Sequence, residues 1–390
     1  MINIYMPQQP RNPLDWHWHH SVIVDWEPPG MAWQYVSDLK DADWIICVLQ
    51  WYNLDKQLAW INARILSKHR VVFVNVYHSD EQFGDIFQNR DWMVSHHFFQ
   101  QHQDRICFVD CNRRAANQVQ DVVFYDFLWE RQKVYFTQYE KFDLSNRIHT
   151  RFSTASMFQL ADIVKNAQAK HYLAPMRVWN IEDVSKAHWG SYESRSRYRR
   201  LLRNTLDVSK GYISDHHKGL FIRAQEYTHY IKRDLENPRG WYAGGTWYPA
   251  HNDYYQDSFV SVYVETITFG DTYRVITEKT YDPLIKGNFI LPMGYQGLVQ
   301  DIRNRGFLLP DWIDYSYDIL PDSTRFDAYL DAVRSLLSMD TKQLYELYNR
   351  DRSILEHNRS LFFSTPRVSL LDLIAQNFSE RSKLTKGPIV

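Results

Sequence analysis

The stretch that decides the fold covers residues 259–294 and reads FVSVYVETITFGDTYRVITEKTYDPLIKGNFILPMG. Continuous apolar runs at residues 259–264 and 289–293 predict strands that are covered on both faces. Between these runs, Thr277 is a good N-cap, and the spacing predicts a short helix over residues 277–286 that Gly287 ends. A strand, a helix and a strand in this order indicate a parallel α/β sheet.

Similar patterns recur along the rest of the chain. In the first third, residues 21–24, 44–49, 71–76 and 105–109 predict strands, and residues 55–69 predict a crossover helix. Farther on, residues 171–175 predict a strand, residues 197–206 a helix, and residues 322–324 the N-cap of another helix. We therefore expect two Rossmann-like domains, residues 1–150 and 151–365, followed by a C-terminal helix and a frayed tail over residues 366–390.

The composition disfavours several classes of protein, among them basic DNA-binding proteins, disulfide-rich proteins and membrane-spanning proteins. The 390 residues include 45 Lys and Arg against 46 Asp and Glu, a balance that disfavours a strongly basic protein built to hold duplex DNA. The three cysteines form no closed disulfide framework, which fits a reducing compartment. Because no signal peptide and no apolar run of about 20 residues is visible, the sequence predicts a soluble, cytoplasmic protein without a membrane span, in the host cytoplasm if it is viral.

The candidate site lies around the predicted helix start. Glu265 ends a predicted strand, where open α/β sheets place their ligands. Glu278 and Lys279 fall in the first helical turn, whose backbone N–H groups favour anions. We expect Lys279 to hold a diphosphate and Glu278 or Glu265 to accept two ribose or sugar hydroxyls, while Gly294 lies in a loop after the next strand.

An ordered string of short segments carries a family resemblance. Its members are Glu265-Thr266, Thr277-Glu278-Lys279-Thr280, Gly306-Phe307 and Tyr317-Asp318. The region of residues 172–318 resembles the donor-binding half of GT-B glycosyltransferases, most nearly the α-1,3-fucosyltransferases, and a group of uncharacterised viral and bacterial glycosyltransferase-like proteins. Val275 stands where the fucosyltransferase pattern has an aromatic residue, and Thr266 stands where it has Asn.

The resemblance implies a GT-B-like fold, with two Rossmann-like domains facing a cleft, and a nucleotide-sugar donor. Related transferases place an arginine against the donor phosphates, and Arg195 and Arg199 are the candidates, because a guanidinium makes two parallel charged hydrogen bonds to phosphate. The alternative for these arginines is a solvated basic helix face. The other donor-binding candidates are Thr277, Tyr273, Arg274 and Gly294. No metal and no obligatory cofactor are expected.

GT-B enzymes hold the acceptor in the N-terminal domain, so the catalytic base is sought there. His78, Asp80 and Glu81 follow the predicted strand of residues 71–76, and any one of them could deprotonate an acceptor hydroxyl. The alternative is that Ser79 caps a helix and these residues have no chemical role. Asp25 and Glu27 are weaker candidates.

The sequence thus predicts a metal-independent glycosyltransferase that moves a sugar from a nucleotide-diphosphate sugar to an acceptor hydroxyl, of a glycan or another acceptor. Two alternatives remain. One is a glycosyltransferase that acts on modified DNA bases, which the neutral charge disfavours. The other is a non-catalytic protein that binds a sugar or nucleotide. His17 and His19 suggest a metal site at first sight, but no further ligands stand nearby in the sequence.

Overall fold

The computed structural model describes residues 1–6, 32–48, 54–75, 96–111, 122–138, 160–175, 190–213, 252–265 and 274–384. The chain divides into two compact units. The first unit is Met1–Arg131, Thr272–Val275 and Arg367–Val390, and the second is Gln132–Asp271 and Ile276–Pro366. The predicted strand at residues 21–24 lies outside the described residues.

The first unit contains a six-stranded sheet. Its strands are β1 (Ile2–Tyr5), β2 (Trp33–Tyr35), β3 (Trp44–Val48), β4 (Arg70–Asn75), β5 (Ile106–Asp110) and β6 (Val122–Phe124). They lie in the order β2-β1-β3-β4-β5-β6, and all neighbouring pairs are parallel. The helices are α1 (Leu54–Asn62), α2 (His97–His102) and α11 (Leu370–Leu384), and α3 (Phe127–Gln138) begins in this unit.

The first core is built on the central strands. Every residue of β5 and five of the six residues of β4 are buried, as the continuous apolar runs predict for strands covered on both faces. Phe73 of β4 lies at the centre of an aromatic cluster, with its ring centroid 5.6 Å from that of Phe108, 5.7 Å from Phe99 and 6.3 Å from Phe98. Helix α2 therefore packs on the sheet through its phenylalanines.

The second unit contains a four-stranded sheet. Its strands are β7 (Lys170–Ala174), β8 (Gly211–Ile213), β9 (Ser258–Val264) and β10 (Phe289–Met293). Their order is β10-β9-β7-β8, and these pairs are again parallel. The helices are α4 (Gly190–Thr205), α5 (Asn252–Gln256), α6 (Glu278–Lys286), α7 (Leu298–Asn304), α8 (Asp322–Ser338), α9 (Thr341–Arg350) and α10 (Arg352–Ser364). The predicted α/β class with parallel sheets is confirmed.

Helix α6 begins and ends as its sequence predicts. The Thr277 side chain accepts a hydrogen bond from the Lys279 N–H, which satisfies one of the free donors of the first turn. Gly287 ends the helix at φ 86°, a left-handed conformation that glycine adopts without a Cβ penalty. Its N–H and that of Asn288 both donate to the Pro283 carbonyl. The helix is thereby fixed at both ends.

Three predictions of element bounds are wrong. Helix α1 ends at Asn62 instead of residue 69, because the following residues form a turn in which the His69 ring accepts from the Leu66 N–H at 3.1 Å. Residues 322–324 do not cap α8; they are its first turn, which follows Pro321. The tail is ordered farther than expected, since α11 continues to Leu384.

The free edge of β10 is closed by side chains. The hydroxyls of Tyr315 and Tyr317 donate to the carbonyls of Ile290 and Pro292, at 2.7 and 2.6 Å. One step farther along the strand direction, the Gly294 carbonyl accepts from Arg325. Because an open strand edge invites pairing with another chain, these donors keep β10 from extending the sheet.

Candidate functional site

The site lies where the strand order of the second sheet reverses. Strand β7 is flanked by β8 on one side and β9 on the other, so the connections that leave β7 and β9 go in opposite directions. In open α/β sheets, ligands bind in the crevice outside the carboxyl ends of the strands at such a switch point. Glu265 directly follows β9, and α6 is the helix that connects β9 to β10. The sequence-predicted residues around Lys279 are therefore at this edge.

Glu265 is fully buried, at 0% exposure, and it binds the start of α6. Its Oε1 accepts from the Thr277 N–H at 3.1 Å and from the Thr280 hydroxyl at 2.7 Å. Its Oε2 accepts from the Thr277 hydroxyl at 2.6 Å. Its own N–H donates to the Met293 carbonyl at 2.7 Å, at the end of β10. This arrangement favours a positioning role for Glu265 over the direct hydroxyl contact expected from the sequence.

A buried tyrosine extends this network into the core. The Tyr263 hydroxyl donates to Thr280 Oγ1 at 2.8 Å, and the Thr280 hydroxyl in turn donates to Glu265 Oε1. Burial, together with the negative charge of Glu265, holds the pKa of Tyr263 well above its ordinary value, so this side chain stays a neutral donor. The first turn of α6 is thus tied to β9 by a chain of hydrogen bonds, in which those to the Glu265 carboxylate are charge-assisted.

Lys279 and Glu278 form the outer part of the site. Lys279 Nζ lies 3.2 Å from Glu278 Oε1 and 3.5 Å from Thr277 Oγ1. The two side chains are 18% and 14% exposed, so both are partly withdrawn from water yet reach the surface. An ammonium in this setting, beside the positive end of a helix, can bind an anion, and the adjacent carboxylate can accept hydroxyl hydrogen bonds.

Arg199 reaches the same edge from α4. Its guanidinium is buried, and Nη2 donates to the Val264 carbonyl at 3.4 Å, next to Glu265. Arg203, four residues on, is exposed, so the expected face of arginines on α4 is partly buried and partly solvated. Arg195 lies within α4, and its side chain is outside the described residues.

The sequence analysis missed Arg325. This residue of α8 is 1% exposed, and its Nη1 donates to the Gly294 carbonyl at 2.6 Å, which fixes the end of β10. It also pairs with Asp322 one helical turn earlier. The only signal in the sequence is a basic residue directly before the apolar stripe that starts at Phe326, a pattern that is also typical of a solvated helix end.

Asp318 shapes the loop that follows Gly294. Its carboxylate accepts from the Gln300 N–H at 3.2 Å, and its backbone carbonyl accepts from the Gly297 N–H at 3.1 Å. Burial raises the pKa of Asp318 above the ordinary value of 3.8. The Tyr317-Asp318 segment of the sequence pattern therefore has a structural role, through its contacts with β10 and with this loop.

Among the remaining predicted site residues, Arg274 lies within the described ranges. Arg274 is half-buried and belongs to the first unit. His78, Asp80 and Tyr273 lie outside the described residues, as do His17 and His19. Within the ranges that the structure describes, no cluster of three or more His, Cys, Asp or Glu side chains could hold a metal ion.

Comparison with family models and with curated proteins identifies no family for the chain. No protein-family model matches the chain, and no curated protein matches it. In the part of the chain that the structure describes, no helix is both long and apolar enough to cross a membrane.

Proposed function

We propose that the chain is a glycosyltransferase that transfers a sugar from a nucleotide-diphosphate sugar to an acceptor hydroxyl, without an obligatory metal. The observation that carries this proposal is the position of Lys279: its ammonium stands in the first turn of α6, beside a strand end at the switch point of a parallel sheet. The GT-B arrangement, with an acceptor domain and a donor domain facing a cleft, belongs to the proposal.

In this proposal, the second unit supplies the groups that stabilise the leaving diphosphate. When the bond from the sugar to the diphosphate breaks, negative charge develops on the leaving diphosphate. Lys279, with the N–H groups of the first turn of α6, is placed to stabilise that charge. Glu278 is placed to accept hydroxyls of the donor, and Glu265 holds the helix start in position through Thr277. Preorganised groups of this kind contribute the largest catalytic effect in many enzymes.

Arg199 supports the donor site more than a nucleic-acid surface. Its side chain is 3% exposed and turned toward the Val264 carbonyl, so it adds positive potential inside the edge of the sheet. A duplex would need exposed cations along the helix. The base that deprotonates the acceptor hydroxyl remains a prediction, and its candidates are His78 and Asp80 of the first unit.

Single-turnover assays with a panel of nucleotide-sugars test the proposal. We expect the wild type to release nucleoside diphosphate from at least one donor, and Lys279→Met to lower this rate about 10²- to 10³-fold. Lys342→Met, which removes an 85% exposed lysine of α9, is the matched control and should keep the full rate. Equal rates in wild type and Lys279→Met would refute the role, and donor binding without any turnover would indicate a binding protein instead.

A further inference from the structure

Two buried histidines of the first unit accept hydrogen bonds that require their rings to be neutral. His69 Nδ1 accepts from the Leu66 N–H at 3.1 Å, in the turn between α1 and β4. His102, the last residue of α2, has its Nδ1 2.6 Å from Arg105 Nη2. Because a backbone N–H and a guanidinium can only donate, each Nδ1 is the acceptor, and the proton of each neutral ring is on Nε2. A proton added to Nδ1 would remove the hydrogen bond at each ring.

Arg105 joins the two histidines into one network. Its Nη1 donates to the Leu66 carbonyl at 2.8 Å, on the same residue whose N–H donates to His69. On the other side of the His102 ring, Nε2 lies 3.2 Å from Asn62 Oδ1 at the end of α1, and the tautomer makes this nitrogen the donor. A chain of hydrogen bonds therefore runs from α1 through α2 and Arg105 to the turn before β4.

The surroundings of His102 favour its neutral form. Burial lowers the pKa of this ring below the ordinary value of 6.5, and the Arg105 guanidinium lowers the pKa further. Asp104 acts in the opposite direction, while His97 on the same helix also opposes a second positive charge. The ring packs on that of Phe98, with 4.9 Å between the centroids, so a charge on it would face an aromatic side chain on this side.

His69 has a similar environment. Burial lowers its pKa below 6.5, and the positive charges of Lys68 and Arg105 add to this effect. The Leu39 carbonyl and Asp43 act in the opposite direction. Both histidines therefore belong to a network that loses hydrogen bonds when the rings gain a charge.

The C-terminal helix α11 is anchored on the same segment. Its Arg381 donates to the carbonyls of Gln103 and Ile106, which lie before and after Arg105 in the chain. Arg381 thus holds the backbone of the 3₁₀ turn Gln103–Arg105, and the Arg105 side chain ties this turn to the rest of the network. A displaced Arg105 would leave α11 on a less firmly held support.

We propose that His69, His102 and Arg105 form an acid-sensitive latch, which holds the turn before β4, the end of α2 and helix α11 together at neutral pH and releases them when the histidines are protonated. The protonated His102 ring would face the Arg105 guanidinium at hydrogen-bond distance, and the repulsion expels the arginine. Because the pKa values are lowered in the closed form, the open form binds more protons. The latch is therefore closed above about pH 6.5 and weakens as the pH falls below it. This inference does not depend on the proposed function.

Hydrogen–deuterium exchange of the full chain at about pH 7.5 and about pH 5.5, corrected for the pH dependence of intrinsic exchange, tests the inference. One pH unit below its ordinary pKa, each histidine can raise the equilibrium constant for opening by about tenfold, so the pair raises it by up to about 100-fold. We expect this loss of protection in residues 62–69, 97–106 and 370–384. Strands β9 and β10 of the second unit should keep their protection.

The double variant His69→Asn/His102→Asn is the decisive comparison, because the asparagine oxygen can replace Nδ1 as an acceptor but does not titrate. It should lose the acid response even if its protection is lower at both pH values. Each single variant should keep about half of the response on a logarithmic scale, which serves as the test if the double variant does not fold. His97→Asn removes an exposed histidine of α2 and, as the matched control, should keep the response.

Three results would overturn the latch. The first is equal corrected protection of the wild type at both pH values in these three segments. The second is an acid response in the asparagine variants as large as that of the wild type. The third is an equal loss of protection in β9 and β10, which would indicate acid unfolding of the whole chain instead of a local release.

Discussion

The hydroxyl of Thr280 is expected to be among the most important single polar groups for the stability of the second unit. It accepts from the Tyr263 hydroxyl at 2.8 Å and donates to Glu265 Oε1 at 2.7 Å, and all three side chains are buried. Thr280→Val keeps the shape of the side chain and removes both hydrogen bonds. We predict a lower free energy of unfolding for this variant.

The magnitude follows from the two bonds. A hydrogen bond to a charged group contributes about 1.5–3 kcal/mol, and a bond between neutral groups about 1 kcal/mol, while the Tyr263 hydroxyl is left buried without this acceptor. Together these effects predict a loss of about 2–4 kcal/mol. For a domain of about 150–250 residues, each kcal/mol lowers Tm by about 2–4 °C, so we expect a decrease of about 5–15 °C.

Differential scanning calorimetry measures this decrease, and Thr280→Ser is the matched control. Serine keeps the hydroxyl and removes one buried methyl group, a change worth about 1 kcal/mol. The valine variant should therefore be clearly less stable than the serine variant. If valine is as stable as the wild type, or more stable than serine, the hydrogen-bond chain from Tyr263 to Glu265 does not hold the helix start as we argue.

Three further predictions concern the surroundings of the site. Tyr317→Phe leaves the buried Pro292 carbonyl without its hydroxyl donor, so it should lower the free energy of unfolding by about 1–3 kcal/mol in urea titrations. An unchanged free energy would show that the edge of β10 needs no such donor. Gly294→Ala brings a Cβ into a clash with Leu298 Cδ2 and should lower the free energy of unfolding by about 1–3 kcal/mol in the same assay. The double variant with Leu298→Ala should be less destabilised than the sum of the two single variants, and strict additivity would contradict the clash. Burial lowers the pKa of Lys165 from 10.5 to about 7, so the unfolded chain binds more protons than the folded chain between these pH values, and the free energy of unfolding should rise with pH across that window. Lys165→Met should flatten the rise, by about 5 kcal/mol at most, and an equally steep rise in the variant would contradict the shift.

The elements around the site could be predicted because their signals are local. Thr277 and Gly287 mark the two ends of α6 by their own side-chain and backbone properties, and the apolar runs of β9 and β10 are continuous. The structure therefore reproduces this strand, helix and strand within one or two residues. Lys279 falls in the first turn for the same reason.

Other features depend on contacts between distant parts of the chain. Arg325 lies 31 positions from Gly294, and Tyr317 lies 25 positions from Pro292, so no local pattern reveals that they close one strand edge. Glu265 was identified as a site residue, but its burial follows from Thr277 and Thr280, which fold back over it from α6. The short strand Ile2–Tyr5 alternates polar and apolar residues over only four positions, too few for periodicity to indicate a strand.

The most direct test of the central claim is a crystal structure of the protein soaked with the nucleoside diphosphate that binds best. We predict diphosphate oxygens within hydrogen-bond distance of Lys279 Nζ, with hydroxyls of the ribose against the Glu278 carboxylate. Clear density for the nucleotide elsewhere, with the Glu278–Lys279 ion pair intact, would contradict the claim that the start of α6 is the donor site.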